Sequence, residues 1–298
     1  MTSIDILGVP HAYDLTAPTA SSHVLVFIHG WLLSRRYWQP IIDLLSPTYQ
    51  CLCYDLRGFG YSQPISKSHF NDREMLPRLH SHKAACRYAP ATYARDLGIL
   101  LEQLNISSAW LIGHSLGGTI ALWGAAQLPH CVKGVICLNA GGGIYLKEAF
   151  ERFRSVGQRL VKFRPSLLCH VPGIDLVFTR DSVADPIPRH WGRQRVIDFV
   201  MAHPEAALGT LLDSTTETEV NRLPQIVSRL KQPVYFIAGA KDTIMEPKYV
   251  RHLASFHQLF QTCGDNVIEI VDCGHLAMVE QPEAVATEIR TIVAHHAL

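Results

Sequence analysis

Val24-Leu-Val-Phe-Ile28 is an unbroken apolar run that stops at His29-Gly30. A run so short and continuous predicts a strand buried on both faces, as in a parallel sheet, rather than an alternating edge strand. Cys51-Leu-Cys-Tyr54 repeats the pattern and closes at the glycine-punctuated Asp55-Leu-Arg-Gly-Phe-Gly60. Further buried strands are predicted over 109–112, 132–138, 234–238 and 267–271. Between them the period changes from continuous to helical. Apolar residues at 93, 97, 100, 101 and 104 share one helix face. Helices are also predicted over 37–45, stopped by Pro47, and over 116–128 and 249–260. The last spans 282–295, where Pro282 suits a first turn. Strands alternating with helices in this way imply βαβ units and a mainly parallel sheet.

Two stretches break the rhythm. Residues 65–90 carry Ser, Pro, His and Arg without periodicity, and read as a loop excursion. Residues 144–222 show helical apolar spacing but no strand, and are punctuated by Pro165, Pro172, Pro186, Pro188 and Pro204. A helical insertion late in a parallel sheet reads as a cap. The expected organisation is therefore a core of residues 1–143, a helical cap over 144–222, and a second core portion over 223–298.

Composition narrows the class. Hydrophobic residues make up 48% of the chain and charged residues 18%, too apolar for intrinsic disorder. The 298 residues can bury a sizeable core without metal or disulfide staples. A net charge of +1 argues against bulk nucleic-acid binding. The 8 cysteines include no CxxC pair, and Cys137 sits in an apolar run, a usage expected of a reducing compartment. Cys51 and Cys53 alternate along a strand and would ligate a metal only with further partners. The start, Met1-Thr-Ser-Ile-Asp5, shows no secretory pattern, and no apolar run reaches the length of a spanning helix. The expectation is a soluble, cytoplasmic protein. Charge is uneven, however. Residues 141–200 hold ten Lys/Arg against six Asp/Glu, and residues 65–90 hold five against two. Such a basic rim could be a solvated surface, or could rest peripherally on an anionic membrane.

The strongest chemical signal is Gly113-His-Ser-Leu-Gly117, between a predicted strand and a predicted helix. A turn that tight needs glycines where neighbouring chains crowd, and it lifts the Ser115 hydroxyl off the sheet at a helix N-terminus. A serine at its ordinary pKa is a poor nucleophile, so it requires a base and an orienting acid. The chain supplies Asp242 and His275, each just past a predicted strand and so at the sheet edge where Ser115 lies. Asp272 is too close to His275 to orient it, and Asn139 lacks the carboxylate charge. Other candidates carry less. His80 and His82 lack a third metal ligand and read as solvated. Arg57 reads as structural, bonding nearby carbonyls. Some of Trp123, Phe150, Phe153, Phe163, Phe178, Trp191 and Phe199 would face a ligand, and most would pack in the core.

With His29-Gly30-Trp31, Asp55-Leu-Arg-Gly-Phe-Gly60, Gly113-His-Ser-Leu-Gly-Gly118, Gly239 with Asp242, and Gly274-His275, the chain resembles the α/β-hydrolase superfamily in its lipase/esterase-like, capped branch. The resemblance covers roughly residues 22–142 and 225–298. It implies an α/β-hydrolase fold, a central mainly parallel sheet flanked by helices, with the cap after the sixth strand. It also implies an oxyanion hole of the Trp31 and Leu116 backbone N–H groups, with Leu32 as an alternative to Trp31. The implied activity is carboxylic ester hydrolysis on a small hydrophobic substrate through Ser115, His275 and Asp242, without cofactor or metal. A lyase or carbon–carbon hydrolase of the same fold is an alternative, although Thr119 stands where the menaquinone-pathway synthase carries an arginine. A non-catalytic ligand receptor is another.

Overall fold

The structure is a computed structural model, and it describes residues 2–63, 87–141, 147–263 and 266–296. Among these, the strands β1 (Thr2–Ile6), β2 (Val9–Leu15), β3 (Val24–Ile28), β4 (Gln50–Tyr54), β5 (Ala109–His114), β6 (Val132–Leu138), β7 (Val234–Gly239) and β8 (Val267–Ile270) form one sheet. Its order is β1-β2-β4-β3-β5-β6-β7-β8. Strand β2 runs antiparallel to both neighbours, and every pair from β4 across to β8 is parallel. The helices are α1 (Gln39–Leu45), α2 (Pro90–Gln103), α3 (Leu116–Gln127), α4 (Lys147–Lys162), α5 (Ile174–Arg180) and α6 (Arg189–Met201). They continue as α7 (Pro204–Ser214), α8 (Glu217–Arg229), α9 (Pro247–Ala254), α10 (Gln258–Cys263), α11 (Ala277–Glu280) and α12 (Pro282–His295).

The continuous apolar strands divide their side chains between two cores, because successive residues point to opposite faces. Val26, Ile28, Leu52 and Leu111 pack with Leu97 of α2 and Ile120 of α3. Leu25, Phe27, Cys51, Cys53 and Ile112 pack on the other side with Ile41 of α1 and Ile289 of α12. Helices therefore cover both faces, as an all-apolar parallel strand requires.

The chain leaves β3 toward β4 on one side, and leaves β5 toward β6 on the other. In open α/β sheets the ligand-binding crevice lies at such a reversal, here beyond the carboxyl ends of β3 and β5. Trp31 follows β3, and Ser115 follows β5.

Several predicted bounds shift for local reasons. Residues 35–38 form a 3-10 turn before α1, which starts at Gln39 with Pro40 in its first turn. Helix α2 starts at Pro90, using proline at N1, rather than at Tyr93. The helix predicted over 249–260 divides into α9 and α10, where the His257 ring accepts the Leu259 N–H. Strand β8 ends at Ile270, and Val271 is exposed. Between β6 and β7 the described residues form helices α4–α8 and a 3-10 turn over Ser166–His170, with no strand. Helix α8 continues through Pro224 to Arg229.

Candidate active site

Ser115 sits between β5 and α3 with φ +52° and ψ −117°, a strained conformation for a residue with a Cβ. The surroundings enforce it. Its N–H donates to Leu138 O (2.9 Å), and its carbonyl accepts from Gly118 N (2.9 Å). A Cβ at Gly113 would collide with the Gly117 and Gly118 backbone, and one at Gly117 with Ile28 O and His29 O. The glycines thus let α3 start directly over the ends of β3 and β5. As the first residue of α3, Leu116 has a backbone N–H without an intrahelical acceptor, pointing out of the helix N-terminus. Trp31 stands three residues past β3, half-buried, and its indole N–H donates to Ala207 O of α7 (2.9 Å). Leu32 beside it has φ +57°.

Asp242 and His275 meet beyond the ends of β7 and β8. The His275 Nδ1 lies 2.7 Å from Asp242 Oδ2, and both side chains are buried. A carboxylate accepts, so Nδ1 carries the proton and Nε2 keeps its lone pair. Asp242 is held by more than the histidine. Its Oδ1 accepts the N–H groups of Ile244 (2.8 Å) and Met245 (2.9 Å), and its Oδ2 accepts Asn139 Nδ2 (2.8 Å). Burial pushes the Asp242 carboxyl up, but the His275 charge and these hydrogen bonds outweigh it. The acid lies below the ordinary carboxylate value.

The structure brings His275 to the elbow through the residue before Ser115. His114 Nε2 is 2.7 Å from His275 O, and the two rings stand 4.8 Å apart. A carbonyl accepts, so His114 carries its proton on Nε2. Burial, and then the neighbouring His275, hold its pKa well below the ordinary histidine value, and it stays neutral. Among the described residues the Ser115 hydroxyl makes no hydrogen bond, to His275 or to any other group. Serine–histidine bonds commonly tighten when substrate arrives.

Three supporting roles escape the sequence reading, which weighed Asn139 only as a rival acid. Asn139, at φ +49° past β6, donates to Asp242 and also to Gly274 O (3.1 Å). Glu280 of α11 accepts the N–H groups of Gly274 (2.9 Å), Leu276 (2.9 Å) and Ala184 (2.8 Å), and so fixes the loop that carries His275. His114 is the third. Asparagine's tolerance of positive φ at a strand end was the available signal for Asn139. Nothing local marks Glu280.

The other sequence candidates take structural places. Arg57 donates to Arg87 O (3.0 Å) and pairs with buried Asp96 (3.0 Å). Trp123 donates to Glu219, Phe178 packs on Phe199, and Trp191 on Tyr37. Phe163 is exposed. Cys51 and Cys53 are free, buried thiols, each pushed by burial to about 12. His80, His82 and the side chains of Phe150 and Phe153 lie outside the described residues. Among the described residues no cluster of His, Cys, Asp or Glu is arranged to hold a metal ion, and no helix is long and apolar enough to cross a membrane.

The elbow and the sheet order define the class. The family model of the alpha/beta hydrolase fold matches residues 23–282, and the chain belongs to that family. It is 35% identical over 234 residues to a pimeloyl-[acyl-carrier protein] methyl ester esterase of Aliivibrio salmonicida, covering 78% of this chain and 79% of that protein. It is also similar to a 2-succinyl-6-hydroxy-2,4-cyclohexadiene-1-carboxylate synthase of Pectobacterium atrosepticum, 25% identical over 91% of this chain and 94% of that one. Among solved structures, an esterase from Thermogutta terrifontis superposes over the full length of both chains with a TM-score of 0.77 at 20% identity, a likeness of fold.

Proposed function

We propose that the protein is a serine hydrolase cleaving a carboxylic ester through an acyl-enzyme. Ser115 Oγ attacks the ester carbonyl carbon while its proton passes to His275 Nε2. Asp242 keeps the proton on Nδ1 and stabilises the imidazolium that forms. The backbone N–H groups of Leu116 and Trp31 receive the oxyanion. Collapse of the tetrahedral intermediate expels the alcohol, which takes the proton from His275. A water, deprotonated by the same nitrogen, then attacks the acyl carbon and frees the acid and Ser115. In this reading, residues 144–222 form a cap over the crevice, and the substrate is a small hydrophobic ester.

The observation that carries the reading is the buried Asp242–His275 pair, 2.7 Å apart, packed on His114, with the next residue a serine held at positive φ over a helix N-terminus. The similarity to a protein named a methyl ester esterase supports ester over other acyl substrates. A second reading is favoured by the synthases, which recur at 24–26% identity over about nine-tenths of the chain. Such a lyase would use the same side chains for proton transfer without acylation.

Fluorophosphonate labelling with p-nitrophenyl ester turnover distinguishes the two. The expected result is covalent labelling at Ser115 and hydrolysis that falls about 10⁴-fold in Ser115→Ala. Labelling without ester turnover would point to the lyase, and absence of both in the folded protein would reject the catalytic assignment.

A further inference from the structure

Helix α4 is apolar on two faces. Its inner face carries Gly157 and Val161, and a Cβ at Gly157 would press on Leu211 and Trp31, so this face lies against the core. Val156 and Leu160, with Phe163 just past the helix end, recur at i, i+4 and i+7, and all three are exposed, Phe163 at 78%. A solvated outer face would be polar there.

The stripe extends onto neighbouring elements. Leu167 on the 3-10 turn is 69% exposed, and Val177 on α5 is 65% exposed. Ile197 and Met201, one turn apart on α6, are exposed as well. These positions are held together. Arg164 donates to Phe199 O and Ala202 O, which seats the end of α4 on the end of α6. The Phe178–Phe199 ring contact ties α5 to the same place, and Val171 and Ile197 line one cavity. Monomeric proteins rarely leave so many large apolar side chains exposed together without a binding role.

Cations accompany the patch. Arg159, Lys162, Arg180 and Arg193 are exposed and form no ion pair among the described residues. Of the acids on these helices, Asp175 is neutralised by Arg189 and Asp198 is buried, while Glu151 is exposed two turns before Arg159 at the start of α4 and Asp181 is exposed just past α5. A second copy of this chain would bring like charges face to face. A surface that is negative and also accepts apolar side chains suits both features.

We propose that this outer face of α4–α6 docks on an anionic phospholipid bilayer, with Phe163 and Leu167 entering the headgroup–acyl boundary and the four cations meeting lipid phosphates. The docking goes beyond the esterase reading and does not depend on it. Because α4 touches Trp31 from its inner side, the docked face lies one helix away from the crevice.

Flotation with vesicles of phosphatidylcholine, alone or with about 30 mol % phosphatidylserine, tests it at low and high salt. Wild type is expected to bind anionic vesicles at least about tenfold more tightly than neutral ones. Arg159→Glu with Lys162→Glu should weaken that binding about 30-fold, at about 1 kcal/mol per lost cation. Phe163→Ser with Leu167→Ser should weaken it at least about tenfold. All four residues are exposed, so thermal melts should match wild type. Phe163→Trp gives an independent signal, a blue shift of emission on adding anionic vesicles. Equal or absent binding to the two vesicles overturns the proposal. So does unchanged binding of the Ser variant, which would leave adsorption by charge alone. A dimer in sedimentation velocity that the Ser variant abolishes would make a second copy the occupant and overturn the proposal.

Discussion

Asn139 shows how much of this site depends on a residue that performs no bond chemistry. Its amide spans Asp242 and Gly274, joining the end of β7 to the loop that carries His275. Removing it in Asn139→Ala leaves a buried carboxylate with one donor fewer. Hydrogen bonds to charged groups contribute about 1.5–3 kcal/mol, so kcat/KM should fall roughly 10- to 100-fold. Asn139→Asp makes a sharper test, because it sets a second carboxyl within hydrogen-bond reach of the first. Two carboxylates so close cannot both ionise readily, and the shared proton raises the apparent pKa of the pair. Activity of the Asp variant should therefore fall at a higher pH than wild type as pH is lowered, which a kcat/KM–pH profile reads directly. In wild type the sign is opposite. The depressed Asp242 pKa gives stability that is present above the unfolded value of about 4 and is lost as pH falls through the folded value.

At the scale of elements, the loop from β8 to α11 is built around Glu280. One carboxylate satisfies three backbone N–H groups, two flanking His275 and one on the segment between α5 and α6. In Glu280→Ala the Gly274 and Ala184 N–H groups lose their acceptor in a part-buried place, while Leu276 N–H keeps Ser182 O (3.2 Å), and each unsatisfied group costs about 1–3 kcal/mol. The expected result in thermal melts and steady-state assays is a Tm lower by several degrees and a kcat that drops more than KM rises, with Glu280→Gln intermediate. The parts of the fold visible in the chain were those written locally. Apolar runs, unbroken in β3 and β4, announced β3 to β8, and the glycine spacing at 113 and 117 announced the elbow. The β1–β2 hairpin was not visible, because its turn places Leu7 at φ +55° before Gly8 at φ +81°, where Asn-Gly or Asp-Gly would be the usual signal. The supporting roles of Asn139 and Glu280 were hidden for another reason. Their partners lie on other strands or loops, and no periodicity records contacts made through space.

Across the whole molecule, the helices between β6 and β7 grip the core close to the crevice. Trp31 donates to Ala207, His203 N–H donates to Gly58 O, and the Ser34 hydroxyl donates to Asp198 of α6 (2.9 Å). The last contact is titratable. Burial pushes the Asp198 carboxyl to about 7, against the opposing pull of hydrogen bonds from Ser34 and Gln194. A carboxyl raised in the native state stabilises fully below the unfolded pKa of about 4, and that contribution is lost as pH rises through about 7. Buried neutral histidines, His11, His29 and His114, act in the opposite sense, since acid favours the unfolded chain that can protonate them. The net pH dependence of wild type therefore mixes signs, and the informative quantity is a difference between two proteins. Asn at 198 keeps an acceptor for Ser34 but cannot ionise. The advantage of Asp198→Asn over wild type in urea unfolding should be about 1–3 kcal/mol greater at pH 8 than at pH 5. A variant whose advantage is the same at both pH values would show that the ionisation of Asp198 does not govern how α6 is held to the core.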